Sequence, residues 1–259
     1  MAKFIWMSDL HFVAEGLVQG HDPRVRLAQA ISLINEHHSD AAFCVVSGDM
    51  VDRGTDADYA ALASMLSGLT IPYLPLTGNH DSRPDFRRHL ALPENTMRDF
   101  IQYEVCLAGA RVICLDTLKQ GSDSGELCAA RRAWLRARLS EPDPALIVMH
   151  HPPLALGLPM QDQDRLDDGE DVLDLLAASS NVGHLCMGHV HRPISGTAHG
   201  MPFTTSGSVL YQAPPPDPPW DWTSFRPAKE APMLAVVDLD GAEARFQRVQ
   251  ICPYEVGGA

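Results

Sequence analysis

Phe43-Cys-Val-Val-Ser-Gly-Asp49-Met-Val-Asp52-Arg53-Gly54 decides how the fold is read. Its opening residues form an apolar run without polar alternation, as expected of a strand buried on both faces. The run stops at a Gly-Asp pair, and a turn rich in charge follows. That arrangement, an apolar run and then a polar cluster, recurs along the chain. Phe4–Met7 leads to Asp9-Leu-His11, and Tyr73–Leu76 to Gly78-Asn79-His80-Asp81. Leu146–Met149 leads to His150-His151, and Leu185–Met187 to Gly188-His189-Val-His191. Val112–Leu115 and Met233–Val237 are further runs of strand length.

Helix-like segments lie between these runs. Asp22-Pro23 supplies an N-cap and a proline at the first helical position, with Val25, Ala28, Ile31 and Ile34 predicted on one face. Asp56 opens a second helix, with Tyr59, Leu62, Met65 and Leu69 at helical spacing, and 129–139 and 170–179 are further candidates. Strand and helix in alternation predict a layered α/β architecture, and the more β-like C-terminal stretch predicts a mixed sheet or a two-sheet sandwich. Residues 213–232 hold seven prolines with Trp220, Trp222 and Phe225, and so read as an extended surface excursion that roofs the site or meets a second subunit. The expected organisation is a catalytic domain over 1–212, this excursion, and C-terminal strands over 233–259 that complete the domain.

Composition narrows the function. Twenty Lys and Arg against 33 Asp and Glu give a net charge of −13, which disfavours a nucleic-acid binder. No apolar run approaches the ~20 residues of a membrane span, and Asp9 interrupts any leader-like start. A cytoplasmic protein without a membrane partner is the expectation. The six cysteines form no CxxC pair, and Cys44, Cys114 and Cys186 sit inside apolar runs as small core residues. The 12 histidines are the compositional oddity, because several cluster with Asp and Asn. Such O and N ligands suit Zn, Fe, Mn or Co. Any one cluster is weak evidence, whereas five in order, each at a strand end, point to a cation site at one sheet edge. Two ions ~3.5–4 Å apart would clamp the attacking and leaving oxygens of a displacement at phosphorus.

The pattern DxH…GDxxDR…GNHD…H…GHxH from Asp9 to His191 resembles the calcineurin-like metallophosphoesterases. The resemblance implies a four-layer α/β/β/α sandwich of two mixed sheets flanked by helices, with a dinuclear metal centre. It implies that Asp9, His11, Asp49 and His191 hold one metal, and that Asp49 (as bridge), Asn79, His150 and His189 hold the other. A solvent hydroxide between the ions would attack phosphorus. His80 would stabilise charge or protonate the leaving oxygen. GDMVDRG also looks like the phosphoprotein-phosphatase version, in which Asp52 would orient the catalytic histidine and Arg53 would grip phosphate. Yet Asp81, not Glu, follows Asn79-His80. His150-His-Pro-Pro-Leu-Ala-Leu-Gly-Leu-Pro-Met160, with Asp162 and Asp164 beyond, looks instead like the bacterial cyclic-nucleotide and glycerophosphodiester phosphodiesterases. Tyr211 and the Pro/Trp stretch would then fall in a cap or oligomer-contact region. His151 is read as packing, and His21 as the remaining histidine to watch. The expected activity is hydrolysis of a small phosphodiester by a homo-oligomer. A phosphomonoesterase or protein phosphatase is the rival, and a non-catalytic binding protein with this fold the remote one.

Overall fold

In a computed structural model of the chain, residues 2–241 and 243–253 are described; 254–259, assigned above to the C-terminal strands, lie outside them. The first sheet has the order β11-β10-β1-β2-β3. In it β1 (Ala2–Met7), β2 (Cys44–Ser47) and β3 (Tyr73–Leu76) run parallel, with Ile5 opposite Cys44 and Cys44 opposite Tyr73. β10 (Met233–Asp240) joins β1 antiparallel and β11 (Glu243–Gln250) joins β10 in the same way. The second sheet has the order β4-β5-β6-β7-β9-β8. Its centre is parallel: β5 (Ala110–Leu115), β6 (Ala145–Met149), β7 (Val182–Met187) and β9 (Met201–Thr205). The edges β4 (Tyr103–Leu107) and β8 (Ser195–Ala198) are antiparallel.

Alternation along β5 and β6 shows how the layers stack. Val112, Cys114, Leu146 and Val148 pack into one core with Phe4, Cys44 and Val46 of the first sheet. Ile113, Leu115, Ile147 and Met149 point the other way, into a second core with Leu135, Val172 and Leu176. Those last three belong to α4 (Ala129–Leu139) and α5 (Gly169–Ala177), which cover the outer face of the second sheet. The helices α1 (Pro23–His37) and α2 (Asp56–Leu66) cover the first sheet. Two mixed sheets flanked by helices are thus the architecture.

The helix starts follow their sequence signals: the Asp22 carboxylate accepts from Arg24 N, and Thr55 Oγ1 accepts from Asp58 N. The face of α1 is corrected. Val25 is 50% exposed and Ala28 is also exposed, while Leu27, Ala30, Ile31 and Ile34 are buried. The stripe is set from Leu27 because the sheet, and not the first apolar residue, fixes the helix rotation. Likewise α2 ends at Leu66, so Leu69 lies beyond it. The short α3 (Arg83–His89) buries only Phe86, which leaves no periodicity to read. No helix is long and apolar enough to cross a membrane among the described residues.

Candidate metal centre

Every polar cluster singled out in the sequence lies just beyond the C-terminal end of a parallel strand, so the packed sheets bring them to one place. The loops after β1 and β2 are stitched together by Asp9 N donating to the Gly48 carbonyl (3.1 Å) and His11 N to the Asp49 carbonyl (2.9 Å). Asp81 fastens the loop after β3 to them, its carboxylate accepting from Gly78 N, Met50 N and the Tyr59 hydroxyl. Burial, and then the charge of Asp49, push the Asp81 carboxyl up to about 6. The second sheet closes on the first through His189 N donating to Asp9 Oδ1 (3.0 Å) and His150 Nδ1 to the Ser47 carbonyl (2.8 Å).

The backbone is strained where the side chains converge. Asp9, His11, Asp49, His189 and His191 all have positive φ, between 41° and 71°, a region costly for residues other than glycine. Two glycines leave the room these rings occupy. A Cβ on Gly48, whose φ is +104°, would come within 2.4 Å of His150 Nδ1. One on Gly78 would come within 2.2 Å of Asp49 Oδ1 and 2.7 Å of His150 Nε2.

The donor set fits cations. His11 Nε2 and His191 Nε2 face each other at 2.9 Å. Their other nitrogens are committed: His11 Nδ1 donates to Asp52 Oδ1 (3.1 Å) and His191 Nδ1 to the Tyr211 carbonyl (3.0 Å). Neutral rings held in this way present bare lone pairs to each other, an arrangement that a shared cation relieves. His150, with Nδ1 spent on Ser47, turns Nε2 toward Asp49 Oδ2 at 3.3 Å. Asp9 Oδ2, His150 Nε2 and His189 Nε2 are buried without hydrogen-bond partners. Such orphaned atoms are rare unless something else satisfies them. Asp9, His11 and His191 gather within 4.8 Å as one ligand group, and Asp9, Asp49 and His150 as another. Asn79 Oδ1 lies 3.2 Å from His189 Nδ1, beside the second group.

Electrostatics agree. Burial opposes charge on His150, yet the Asp49 carboxylate in contact with it, helped by Asp9, lifts its imidazole to about 9. Burial likewise opposes ionisation of Asp49, but His150 and His80 hold it well below the usual carboxylate range. The two carboxylates demand positive charge at this point. Burial, and then the charge of neighbouring His150, lower His189 to about 3; burial alone dominates at His191, lowered to about 4. Both rings stay neutral, the form that binds a metal.

The remaining residues take separate positions. His80 is half-exposed on the cavity, and its Nδ1 donates to the Asp52 carbonyl at 2.8 Å. Its pKa is raised, because Asp49 and Asp52 outweigh burial. Asp52 braces His11 and is not itself at the cavity surface. Arg53 is set apart. It is exposed, donates to the Glu15 carbonyl at 2.8 Å and does not line the cavity, so its guanidinium is not placed for the phosphate contact expected of it. Both ring nitrogens of His151 are used, by Thr117 Oγ1 and the Asp123 carbonyl, as befits a packing role. His21 reaches the site only through Tyr211, on which it stacks at 6.0 Å.

Above this floor opens a cavity of about 310 Å³. Tyr211 lines it, together with Trp222 and Phe225 of the Pro-rich segment. Asp123, Gln161 and Asp164 line it too. Asp164 follows the His-His-Pro-Pro stretch and carried that much of a signal; Asp123, in a loop, and Gln161, at the start of a 3₁₀ turn, carried none.

Known proteins share these features. A family model described as calcineurin-like phosphoesterase matches residues 2–193. A probable cyclic nucleotide phosphodiesterase of Rhodopseudomonas palustris is 37% identical over 216 residues, covering 81% of this chain and 79% of that protein. A probable glycerophosphodiester phosphodiesterase GpdQ of Arcobacter nitrofigilis is 29% identical, with coverage of 80% and 78%. The crystal structure of a dimetal phosphatase from Danio rerio shares the fold, with a TM-score of 0.68 at 15% identity over 97% of this chain and 99% of that one. With its fold, its strand-end ligand clusters and a family match across most of its length, the chain belongs to the calcineurin-like phosphoesterase family.

Proposed function

We propose that this protein hydrolyses small phosphodiesters at a pair of metal ions, the candidate classes being the cyclic nucleotides and glycerophosphodiesters of its relatives' names. The observation that carries the reading is the floor around Asp49, where imidazole nitrogens and carboxylate oxygens face one another with their other atoms already committed. Two cations would neutralise the phosphoryl oxygens and supply a nucleophile from water at neutral pH. Asp9, His11, Asp49 and His191 would hold one ion. Asp49, Asn79, His150 and His189 would hold the other, and iron, manganese, zinc or cobalt suits these donors.

Asp52 fixes the His11 tautomer, so that Nε2 keeps its lone pair for the ion. His80 spends Nδ1–H on the Asp52 carbonyl, which leaves Nε2 to hold a proton for the departing oxygen. Among the described residues no Lys or Arg lines the cavity, which favours the single negative charge of a diester over the dianion of a monoester. The same reading makes the protein a cytoplasmic homo-oligomer. Cys44, Cys106, Cys114, Cys128 and Cys186 are free thiols, in keeping with a reducing compartment, and Trp222 stays 53% exposed for a neighbour to cover.

The test is a comparison of kcat/KM for bis(p-nitrophenyl) phosphate and p-nitrophenyl phosphate on protein loaded with Mn2+ or Co2+. The diester should be favoured about tenfold or more, the factor one charged contact is worth. A faster monoester would move the protein to the phosphomonoesterases.

A further inference from the structure

We infer that Tyr59, buried on α2, is a positioning residue for the candidate metal centre, its hydroxyl fixing the loop that carries Asn79 and His80. This role rests on the metal-pair reading and deepens it. Tyr59 is fully buried and does not line the cavity, so it acts only through its neighbours. Its ring stands edge-on to Phe86 of α3, the centroids 5.9 Å apart. From there the hydroxyl reaches the base of the loop after β3. It donates to Asp81 Oδ1 at 2.6 Å and accepts from Ser82 N at 2.9 Å.

The other oxygen of Asp81 shows what this contact governs. Asp81 Oδ2 accepts from Gly78 N at 2.8 Å, within its own loop, and from Met50 N at 3.2 Å, in the loop after β2. Gly78 precedes Asn79, and Met50 follows Asp49. One carboxylate therefore ties together the residues next to two proposed ligands, and Tyr59 holds that carboxylate in place. Asn79 and His80 are pinned at both ends. Asp81 N donates to the Gly78 carbonyl at 3.4 Å, and Ser82 N is taken by Tyr59. His80 N in turn donates to Asp49 Oδ1 at 3.1 Å, while Asp49 Oδ2 faces His11 and His150. A shift of this loop would carry Asn79 away and turn Asp49 as well.

Phenylalanine in place of Tyr59 would keep the ring against Phe86 and remove only the hydroxyl. Asp81, 6% exposed, would lose a donor, and Ser82 N its acceptor. A buried polar group without its partner favours whatever movement brings it to water. The consequence should be unequal. The ion assigned to Asp9, His11, Asp49 and His191 takes no ligand from this loop, whereas the other takes Asn79.

The test is calorimetric titration of the full chain with Mn2+, in wild type, Tyr59→Phe and Leu62→Ala. Leu62 is fully buried on the same helix and belongs to the apolar core, so its variant reports lost packing alone. In Tyr59→Phe the weaker Mn2+ equilibrium should lose about tenfold in affinity, the factor one hydrogen bond to a charged group confers. The tighter equilibrium should move less than about threefold, and Leu62→Ala should leave both within that range. Asp81→Asn, whose amide keeps one acceptor oxygen for three donors, should reproduce the unequal loss. A second arm needs no metal. Amide exchange over 78–82, referred to β5 of the same chain, should speed about tenfold in Tyr59→Phe and stay unchanged in Leu62→Ala. Mn2+ affinities that Tyr59→Phe leaves unchanged, or lowers equally at both ions, would overturn the role. If the wild type takes up no Mn2+, the metal-pair reading falls, while selective exchange over 78–82 still upholds Tyr59 as the anchor of this loop. Exchange equal in the two variants would then sink that too.

Discussion

The floor and the wall of the cavity are built differently. Floor residues are mostly buried, follow directly on parallel strands, and at five positions hold a positive φ that costs about 1–3 kcal/mol each. Wall residues come from loops, one 3₁₀ turn and a Pro-rich excursion; Asp123 is exposed, and Trp222 keeps 53% of its surface in solvent. The difference teaches where each task can be placed. Ligands around paired ions must be fixed within fractions of an ångström, which only the two sheets can enforce. Groups that choose among substrates can sit on segments free to vary.

Substitutions should therefore fall off steeply from floor to wall. Asp49→Ala is the most damaging: it should abolish hydrolysis and lower the bound metal by more than one ion per chain, since Asp49 faces His11 at 3.5 Å and His150 at 3.3 Å. Elemental analysis showing two ions retained alongside activity would take Asp49 out of the bridging role.

His80→Ala should leave metal content unchanged and slow turnover roughly 10²–10⁴-fold, the range for a positioned acid. The loss should be larger for an alkoxide leaving group than for p-nitrophenolate, which departs without a proton. Equal losses on both would make His80 a phosphoryl-stabilising group.

Asn79→Ala should act more mildly. A neutral amide is a weaker ligand than a carboxylate, so one ion should bind less tightly, and excess Mn2+ or Co2+ should restore part of the rate. Activity still absent with both ions demonstrably bound would show that Asn79 serves the chemistry directly.

At the bottom of the series, Arg53→Ala should change kcat/KM by less than about threefold, as for a surface contact worth well under 1 kcal/mol. A loss of a hundredfold on p-nitrophenyl phosphate would mean that Arg53 leaves Glu15 and reaches the phosphate during turnover.

What the sequence disclosed follows the same division. The strands β1, β2, β3, β5, β6, β7 and β10 were legible because their apolar runs are unbroken, and the polar clusters stood out against them. The edge strands β4 and β8 were not, since their residues alternate or face solvent, nor was β9, whose apolar residues Pro202 interrupts; β11 was foreseen only within a β-like C-terminal stretch. The rotation of α1 was misjudged because Val25 looks as apolar as Leu27, and only the docked sheet distinguishes them. Within the site, spacing marked the floor, but no pattern marks Gln161 as an unpaired acceptor. That property exists only once the 3₁₀ turn and the cavity are in place.

The origin of the proposed ligands would have a thermodynamic consequence. Asp9, His11, Asp49 and Asn79 arrive from the first sheet, and His150, His189 and His191 from the second. Each ion would therefore act as a rivet between the two halves of the sandwich, in addition to its chemical task. Binding to the native chain adds RT ln(1 + [L]/Kd) to its stability, about 4 kcal/mol per ion when the free metal stands at 1,000 times Kd. With both ions bound, the melting temperature of this protein would become a reading of its metal supply, and a cell short of the metal would lose the fold's reserve of stability together with the proposed activity.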